Sequence, residues 1–391
     1  MMRGQQLGLW RLPALLIVSL LLATGCGAWP MLDFGPERTG YNPTETAINA
    51  ANVGRLQEVW TTTAGNGPPV VTGGRLFVVD PGDSLEDQPG YIRAFDAAGN
   101  TNCSGTPNVC APLWTATFTG SAAAGPAVVN GVAYVSTEVG LLAFDAAGKT
   151  GCSGTPTTCT PLWTGNVTSI NVASPLVWNG TVYAGSTGGT VYAFDAAGIT
   201  NCSGTPKTCT PLWRGNRPFG VRSAPAITNG VVYVGDTSIT AFDAAGVTNC
   251  TGTPTICSPL WDTAALNAEF NGPAVARGVV YGSYFAGHLY TFDAGGTEGC
   301  SGTPKACTPL WSANLSFPSS SSASIANGVV YVTGQNTLYA FDAAGVRHCS
   351  GVPKTCRPLW TGTGSSIYSP TITNGVVYAS DGTKVHAYTL R

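Results

Sequence analysis

Short apolar runs separated by glycine-containing turns recur along the chain after residue 69. The turn is Asn-Gly in most copies, and the run that follows it, such as Val231 to Val234, is β-branched and aromatic. Asn-Gly between two apolar runs is a strong hairpin signal, because both central residues of a type I′ turn need a positive φ. Each copy therefore predicts a strand, a tight turn and a second strand. The turns begin at Gly73, Asn130, Asn179, Asn229, Arg277, Asn327 and Asn374.

A longer phrase follows each hairpin except the last. Its clearest copy, Val191 to Trp213, reads VYAFDAAGITNCSGTPKTCTPLW. The Ala-Phe-Asp part predicts a third strand and the Leu-Trp part a fourth. A fixed period of roughly 50 residues indicates stacked or radially arranged units, and four short antiparallel strands per unit are typical of a β-propeller blade. The sister copies end at Trp114, Trp163, Trp261, Trp311 and Trp360.

The strand count predicts the number of blades. Trp60 has the position of a fourth-strand tryptophan but no strands before it, whereas the last three strands, Thr371 to Leu390, have no fourth strand after them. Pairing Leu56–Thr62 with that last set closes a ring and hides sheet edges. We therefore predict an all-β fold, a seven-bladed β-propeller of four-stranded antiparallel blades over residues 55–391. An extended lead-in segment at 27–54 precedes it.

The charge balance excludes one class of partner. The formal net charge is −2, and only 18 Lys and Arg are spread over 391 residues. Nucleic-acid binding needs a clustered basic surface. We therefore expect no nucleic-acid partner.

The first 26 residues resemble an export signal. Arg3 and Arg11 flank the start of an apolar run, Leu12 to Leu22, which is too short to span a bilayer comfortably. The run closes with Leu-Ala-Thr-Gly-Cys26, which is similar to a bacterial lipoprotein signal, where the cysteine is lipidated. Cys26 is also the unpaired one of 13 cysteines. We expect a lipid-anchored protein facing the periplasm or the cell exterior; the alternative is that Cys26 is removed with the signal peptide.

The other twelve cysteines form six identical C-x6-C pairs. A turn sequence lies inside each pair and can bring its two ends together, and export makes disulfides the expected state. Metal binding is the competing interpretation, but it needs pairs that converge on one point. We predict the disulfides Cys103–Cys110, Cys152–Cys159, Cys202–Cys209, Cys250–Cys257, Cys300–Cys307 and Cys349–Cys356.

The phrase Ala-Phe-Asp-Ala-Ala-Gly followed by Leu-Trp resembles the tryptophan-docking repeat of pyrroloquinoline quinone (PQQ)-type β-propellers. The resemblance implies that Asp, Gly and Trp tie neighbouring blades together, and this chain inserts the cysteine loop between the Gly and the Trp. A carboxylate repeated once per blade before a turn is best explained as an acceptor for backbone N–H groups. The repeated aspartates are Asp96, Asp145, Asp195, Asp243, Asp293 and Asp342.

This resemblance implies two classes of function. The dehydrogenases of the family use a calcium-like ion, a catalytic Asp and, in many members, a disulfide between adjacent cysteines. Adjacent cysteines do not occur in this sequence. The pattern therefore favours the non-catalytic members, which include lipoproteins that scaffold outer-membrane assembly. We expect a monomeric scaffold for a protein or glycan, with no catalytic residue, metal site or cofactor; the alternative is a PQQ-dependent dehydrogenase that binds PQQ and Ca²⁺.

The positions that the copies do not share are the best candidates for a binding surface. A dense basic cluster follows the tryptophan of the third blade and could recognise a carboxylate or an acidic partner. An aromatic group in the fifth blade suits sugar or peptide contact. The predicted partner-binding face comprises Arg214, Arg217, Phe219, Arg222, Tyr284, Phe285 and His288.

Overall fold

The structure is a computed structural model. It describes residues 30–40, 60–63, 69–80, 82, 88–106, 108–122, 125–167, 173–217, 220–221, 223–263, 269–316, 318–319, 321–363, 369–373, 376–380 and 385–389. These residues form strands and turns, and no helix occurs among them. Accordingly, the described residues contain no helix that is long and apolar enough to cross a membrane.

The strands fall into seven sequential units after β1 (Trp60–Thr62). The first unit contains β2 (Val70–Thr72), β3 (Arg75–Asp80), β4 (Gly90–Asp96), β5 (Cys103–Ser104), β6 (Asn108–Cys110) and β7 (Trp114–Phe118). The second contains β8 (Ala127–Val129), β9 (Val132–Thr137), β10 (Gly140–Asp145), β11 (Cys152–Ser153), β12 (Thr158–Cys159) and β13 (Trp163–Gly165). The third contains β14 (Leu176–Trp178), β15 (Thr181–Gly185), β16 (Thr190–Asp195), β17 (Cys202–Ser203), β18 (Thr208–Cys209) and β19 (Trp213–Asn216).

The remaining units repeat this order. The fourth contains β20 (Ala226–Thr228), β21 (Val231–Gly235), β22 (Ile239–Asp243), β23 (Cys250–Thr251), β24 (Ile256–Cys257) and β25 (Trp261–Thr263). The fifth contains β26 (Ala274–Ala276), β27 (Val279–Tyr284), β28 (His288–Asp293), β29 (Cys300–Ser301), β30 (Ala306–Cys307) and β31 (Trp311–Asn314). The sixth contains β32 (Ser324–Ala326), β33 (Val329–Gly334), β34 (Thr337–Asp342), β35 (Cys349–Ser350), β36 (Thr355–Cys356) and β37 (Trp360–Thr363), and the seventh contains β38 (Thr371–Thr373), β39 (Val376–Ser380) and β40 (Val385–Thr389).

The predicted seven-bladed β-propeller is confirmed. In each of the first six units the three long strands and the tryptophan strand form one antiparallel blade, with the tryptophan strand outermost. The tryptophan lies opposite the alanine of the Ala-Phe-Asp phrase, as in the pair Ala193 and Trp213. The six predicted hairpin turns from Gly73 to Asn327 are also present; Asn179 and Gly180, for example, both have positive φ, 47° and 76°. The predicted turn at Asn374 lies outside the described residues.

The cysteine segment forms a two-stranded hairpin, which the sequence prediction described only as a loop. This hairpin lies on the outer edge of the preceding blade, where its second strand pairs in parallel with the tryptophan strand. Thr164 and Gly165 of β13, for example, pair with Thr208 and Cys209 of β18. An uncovered edge strand is a template for unwanted pairing. Each hairpin therefore protects the edge of its neighbour.

Tryptophan docking joins the blades. Trp163 of the second blade lies against Gly198 of the third, and a Cβ placed on that glycine would lie 2.2 Å from the indole Cδ1. Only glycine leaves room for the ring and also adopts the turn's φ of +64° without strain. The same contact recurs at Gly99, Gly148, Gly246, Gly296 and Gly345, each against the tryptophan of the preceding blade.

Trp60 takes part in ring closure. It lies on Gly99 of the first blade, and β1 pairs in parallel with β6, so it occupies the place of a seventh-blade tryptophan strand. Among the described residues no ladder joins β1 to β40, because the last sheet contains only β38, β39 and β40. The docking of the N-terminal strand is thus confirmed, and its pairing with the seventh blade stays a prediction.

Tryptophan docking predicts unequal costs for two glycine substitutions. Gly198→Ala combines a steric overlap with a strained φ, and we expect a loss of about 3 kcal/mol in the free energy of unfolding. Gly180→Ala is the matched control, because its φ is +76° but nothing lies within 4 Å of the added Cβ; about 1 kcal/mol is expected there. Urea unfolding of both variants measures the difference. Equal losses of unfolding free energy in the two variants would show that the tryptophan contact does not require glycine at position 198.

Candidate functional site

The central channel contains part of the chain's own lead-in. Backbone amides of the innermost strands donate to carbonyls of Pro30–Gly40: Val128 to Pro30 at 2.8 Å, Ile227 to Pro36 at 2.8 Å and Ile325 to Thr39 at 3.1 Å. Two further amides, in the fifth and seventh blades, donate to Glu37 and Gly40. A segment bonded to the innermost strands of five blades lies inside their ring. We call Pro30–Gly40 the plug.

Arg38 anchors the plug. Its side chain is 1% exposed, and its guanidinium donates to the carbonyls of Leu32, Ser174 and Pro225. Burial lowers the pKa of Arg38 to about 10, while the charge of Asp33 opposes that shift. The side chain is therefore charged at neutral pH and ties the plug to the loops that precede β14 and β20. Sequence reasoning missed this residue.

The repeated aspartates act within their own turns, as predicted. The Asp195 carboxylate accepts from the amides of Ala197, Ile199 and Thr200 at 3.1, 3.0 and 2.7 Å. Partial burial alone would raise the pKa of Asp195, but these hydrogen bonds outweigh it and hold the pKa below its ordinary value. The same arrangement occurs at Asp96, Asp145, Asp243, Asp293 and Asp342.

A repeated tyrosine also joins neighbouring blades, and sequence reasoning missed it. The Ala244 carbonyl accepts two hydrogen bonds from the preceding blade, from Tyr183 Oη at 3.1 Å and from Trp213 Nε1 at 3.0 Å. The Ala294 carbonyl is bonded in the same way by Tyr233 and Trp261. Burial raises the pKa of Tyr183 to about 12, so it remains a donor at neutral pH. The repeated aromatic position after each Asn-Gly turn was the available signal.

All six predicted disulfides are present: Cys103–Cys110, Cys152–Cys159, Cys202–Cys209, Cys250–Cys257, Cys300–Cys307 and Cys349–Cys356. Each joins the two strands of its hairpin, with the cysteines directly opposite, as Cys202 and Cys209 are. All twelve of these cysteines are therefore paired as disulfides within the edge-covering hairpins. Within the described ranges no group of three His, Cys, Asp or Glu side chains could hold a metal ion.

In the basic half of the predicted partner-binding face, Arg217 is largely buried. It is 7% exposed, and its guanidinium donates to the carbonyls of Gly220 and Ser238 and to the Ser238 hydroxyl at 2.7 Å. Arg217 thus joins its own loop to the β21–β22 turn, and a binding role for this face stays a prediction. Arg214 lies on β19 opposite Tyr192 and lines a groove of about 450 Å³. Phe219 and Arg222 lie outside the described residues, as does Cys26.

The aromatic half of that face does come together. Tyr284 and His288 stack with ring centroids 5.9 Å apart, and His288 lies 5.6 Å from Tyr290. Phe270 packs beneath Tyr284 at 6.0 Å, whereas Phe285 at the β27–β28 turn is 40% exposed. We call these five residues the blade-five cluster. An ordered aromatic base with one exposed ring suits apolar contact with a partner.

The plug lies in the central channel, and the repeated carboxylates are all engaged by backbone amides. No other set of carboxylate ligands occurs in the described part of the chain. The expectation that no cofactor binds stays a prediction.

Radially repeated blades, tryptophan docking and the Ala-Phe-Asp turns define a PQQ-type repeat β-propeller. A family model described as "Outer membrane protein assembly factor BamB" matches residues 88–345, more than half of the chain. The chain belongs to this family. No curated protein matches the sequence.

Solved structures share the fold at low sequence identity. BamB from Moraxella catarrhalis is 16% identical, with a TM-score of 0.54 over 82% of this chain and 81% of that one. Quinohemoprotein alcohol dehydrogenase from Comamonas testosteroni is 16% identical, with a TM-score of 0.60 over 90% and 69%. A europium-containing methanol dehydrogenase is 14% identical, with a TM-score of 0.59 over 94% and 86%. These likenesses concern the fold alone.

Arg38 provides a test of the plug. Arg38→Met would remove the donor of three carbonyls, two of them in buried hydrogen bonds, and we expect a loss of about 2–4 kcal/mol in the free energy of unfolding. The control is Glu37→Gln, since that side chain is exposed; its effect should stay within about 0.5 kcal/mol. Urea unfolding measures both. Wild-type stability in Arg38→Met would contradict an anchoring role.

Proposed function

We propose that the protein is an exported, non-catalytic β-propeller scaffold that binds a protein partner through the blade-five cluster. Its anchor is a lipid on Cys26, it works as a monomer, and it faces the periplasm or the cell exterior. Membership of the BamB family and the six disulfides support this assignment. A protein partner is favoured over a glycan because the family description names a protein assembly factor.

One observation supports the scaffold role most strongly. The groups with catalytic potential that the sequence repeats, namely its aspartates and cysteines, are engaged in turns and hairpins. Phe285 lies at the turn between the strands that carry the stacked Tyr284 and His288 rings, and it is 40% exposed. An exposed aromatic ring on a well-ordered hairpin loses little conformational entropy on binding, which suits an anchor for a partner.

The test compares two exposed apolar residues in equivalent turns. Phe285→Ser changes the blade-five cluster, and Val139→Ser, at a residue 52% exposed in the β9–β10 turn, is the matched control. Purified wild type and both variants serve as bait for cross-linking in an envelope extract, with quantitative mass spectrometry. We expect Phe285→Ser to lose about tenfold or more of the captured protein because it removes the exposed aromatic ring that binding would bury against the partner. Val139→Ser should match wild type.

Two results would contradict the proposal. Equal capture by Phe285→Ser and Val139→Ser would remove the blade-five cluster as the binding site, and no specific capture by wild type would remove the scaffold function.

Titration with PQQ and Ca²⁺ tests the dehydrogenase alternative in the same preparation. We expect no quinone uptake and no dye reduction; uptake with dye reduction would establish the alternative.

A further inference from the structure

The first six blades differ at one repeated pair of positions. The pair consists of a third-strand residue and the residue opposite it, directly after the outer-strand tryptophan. In the third blade these residues are Tyr192 and Arg214. Only the third of these six blades places an aromatic ring opposite a cation. The other five pairs are Arg93–Thr115, Leu142–Thr164, Thr240–Asp262, Tyr290–Ser312 and Tyr339–Thr361.

A groove of about 450 Å³ lies at the pair of the third blade. It is also lined by Asn166, which follows β13 of the second blade, and by Pro254 and Thr255 of the fourth cysteine hairpin. Three separate parts of the chain therefore converge on it. Its volume is in the range of small-molecule sites, which combine apolar walls with a few convergent polar groups. We call it the blade-three groove.

The guanidinium in this groove has no partner within the described residues. The Nε atom of Arg214 is buried and makes no hydrogen bond there. Arg93, by contrast, is ion-paired with Asp80 and lies over the Tyr91 ring, 4.2 Å from its centroid. A buried donor without an acceptor is costly. The blade-three groove therefore favours a ligand that brings an acceptor to Arg214.

The sequence around the groove carries little negative charge. From Ala146 to Gly235 the only acidic residue is Asp195, whose carboxylate accepts from three backbone amides. No Asp or Glu lines the groove, and the fourth hairpin, Cys250 to Cys257, contains none. One cation without a counter-charge suits a monoanion such as a carboxylate. A phosphomonoester carries close to two negative charges and suits it less well.

The remaining groups of the groove suit a polar ring. The Tyr192 ring is half-buried and supplies an apolar surface. The side chains of Asn166 and Thr255 make no hydrogen bond within the described residues, so their polar groups are available. A sugar ring has an apolar face and several hydroxyls, and a sugar acid adds the carboxylate that Arg214 lacks. Aromatic side chains with neighbouring polar groups suit such amphipathic ligands.

We propose that the blade-three groove binds a sugar acid, that is, a pyranose ring with one carboxylate. Arg214 pairs with the carboxylate through two parallel N–H donors, which its planar guanidinium provides. Tyr192 packs against the ring, and Asn166 and Thr255 bond to its hydroxyls. The groove belongs to the second, third and fourth units, so this inference does not depend on binding at the blade-five cluster or on the scaffold function.

Three probes with the same ring test the charge requirement: glucuronic acid, glucose and glucose 6-phosphate. Ligand-observed NMR titration with purified full-length protein at neutral pH measures their dissociation constants. Arg214→Thr removes the guanidinium and introduces the residue that the second blade has at this position, Thr164. Lys207→Gln is the matched control, because it removes one positive charge from the same unit but lies outside the groove.

We expect wild type and Lys207→Gln to bind glucuronic acid equally, and wild type to bind glucose about tenfold more weakly. Arg214→Thr should bind glucuronic acid no better than glucose, with its glucose affinity unchanged. Added salt should weaken the binding of glucuronic acid alone. Tyr192→Leu, which introduces the second blade's Leu142, should weaken glucuronic acid and glucose by the same factor, about threefold or more, because both lose the ring contact.

Several results would overturn the proposal. Equal affinity of wild type for glucuronic acid and glucose would do so, as would equal losses in Arg214→Thr and Lys207→Gln. Tighter binding of glucose 6-phosphate would assign the groove to phosphates, and tighter binding of the peptide Ala-Glu-Ala-Glu would assign it to acidic peptides. Should Arg214→Thr fail to fold, glucuronic acid binding to wild type that does not respond to salt overturns the proposal instead.

Discussion

Six boundaries between the units of this propeller depend on the contact between one tryptophan and a glycine turn of the next unit. The indole fills the space that a side chain at Gly198 or its equivalents would need, and its N–H reaches an alanine carbonyl in the same turn. The aspartate that shapes this turn and the tyrosine that shares the carbonyl serve the same contact. Interior packing tolerates little volume change, which explains why the phrase is repeated so closely.

The cysteine hairpins extend this contact to the outer edge. A hairpin leaves its own blade after the turn that holds the neighbouring tryptophan, so docking delivers it to the neighbouring strand. The disulfide limits the conformations of a short excursion that buries little apolar surface. The residues that repeat in every copy thus serve assembly of the ring. We therefore expect partner binding at positions where the copies differ. Phe285 in the fifth blade is one such position.

Local patterns made much of the fold predictable. Asn-Gly turns, the C-x6-C pairs and the aspartate turns involve residues close in sequence, and each has a local physical cause. The edge covered by each hairpin, the path of the plug and the burial of Arg38 depend on contacts between distant segments. Arg217 shows the same limit for the candidate site. Its sequence neighbours suggested a basic surface, but its guanidinium is bonded to the carbonyls of Gly220 in its own loop and Ser238 in a neighbouring turn. The aromatic residues around Tyr284, by contrast, came together because they lie on one hairpin.

Residue-resolved hydrogen–deuterium exchange of the purified protein tests most directly whether docking and edge covering act together. The amides of Thr164, Arg214, Asp262 and Ser312 donate to a hairpin and should exchange slowly. The Thr361 amide follows Trp360 in the same register, and no further strand pairs with β37 within the described residues, so it should exchange far faster. Protection of Thr361 equal to that of Ser312 would contradict the account, because it would mean that the sixth blade's edge is covered like the others.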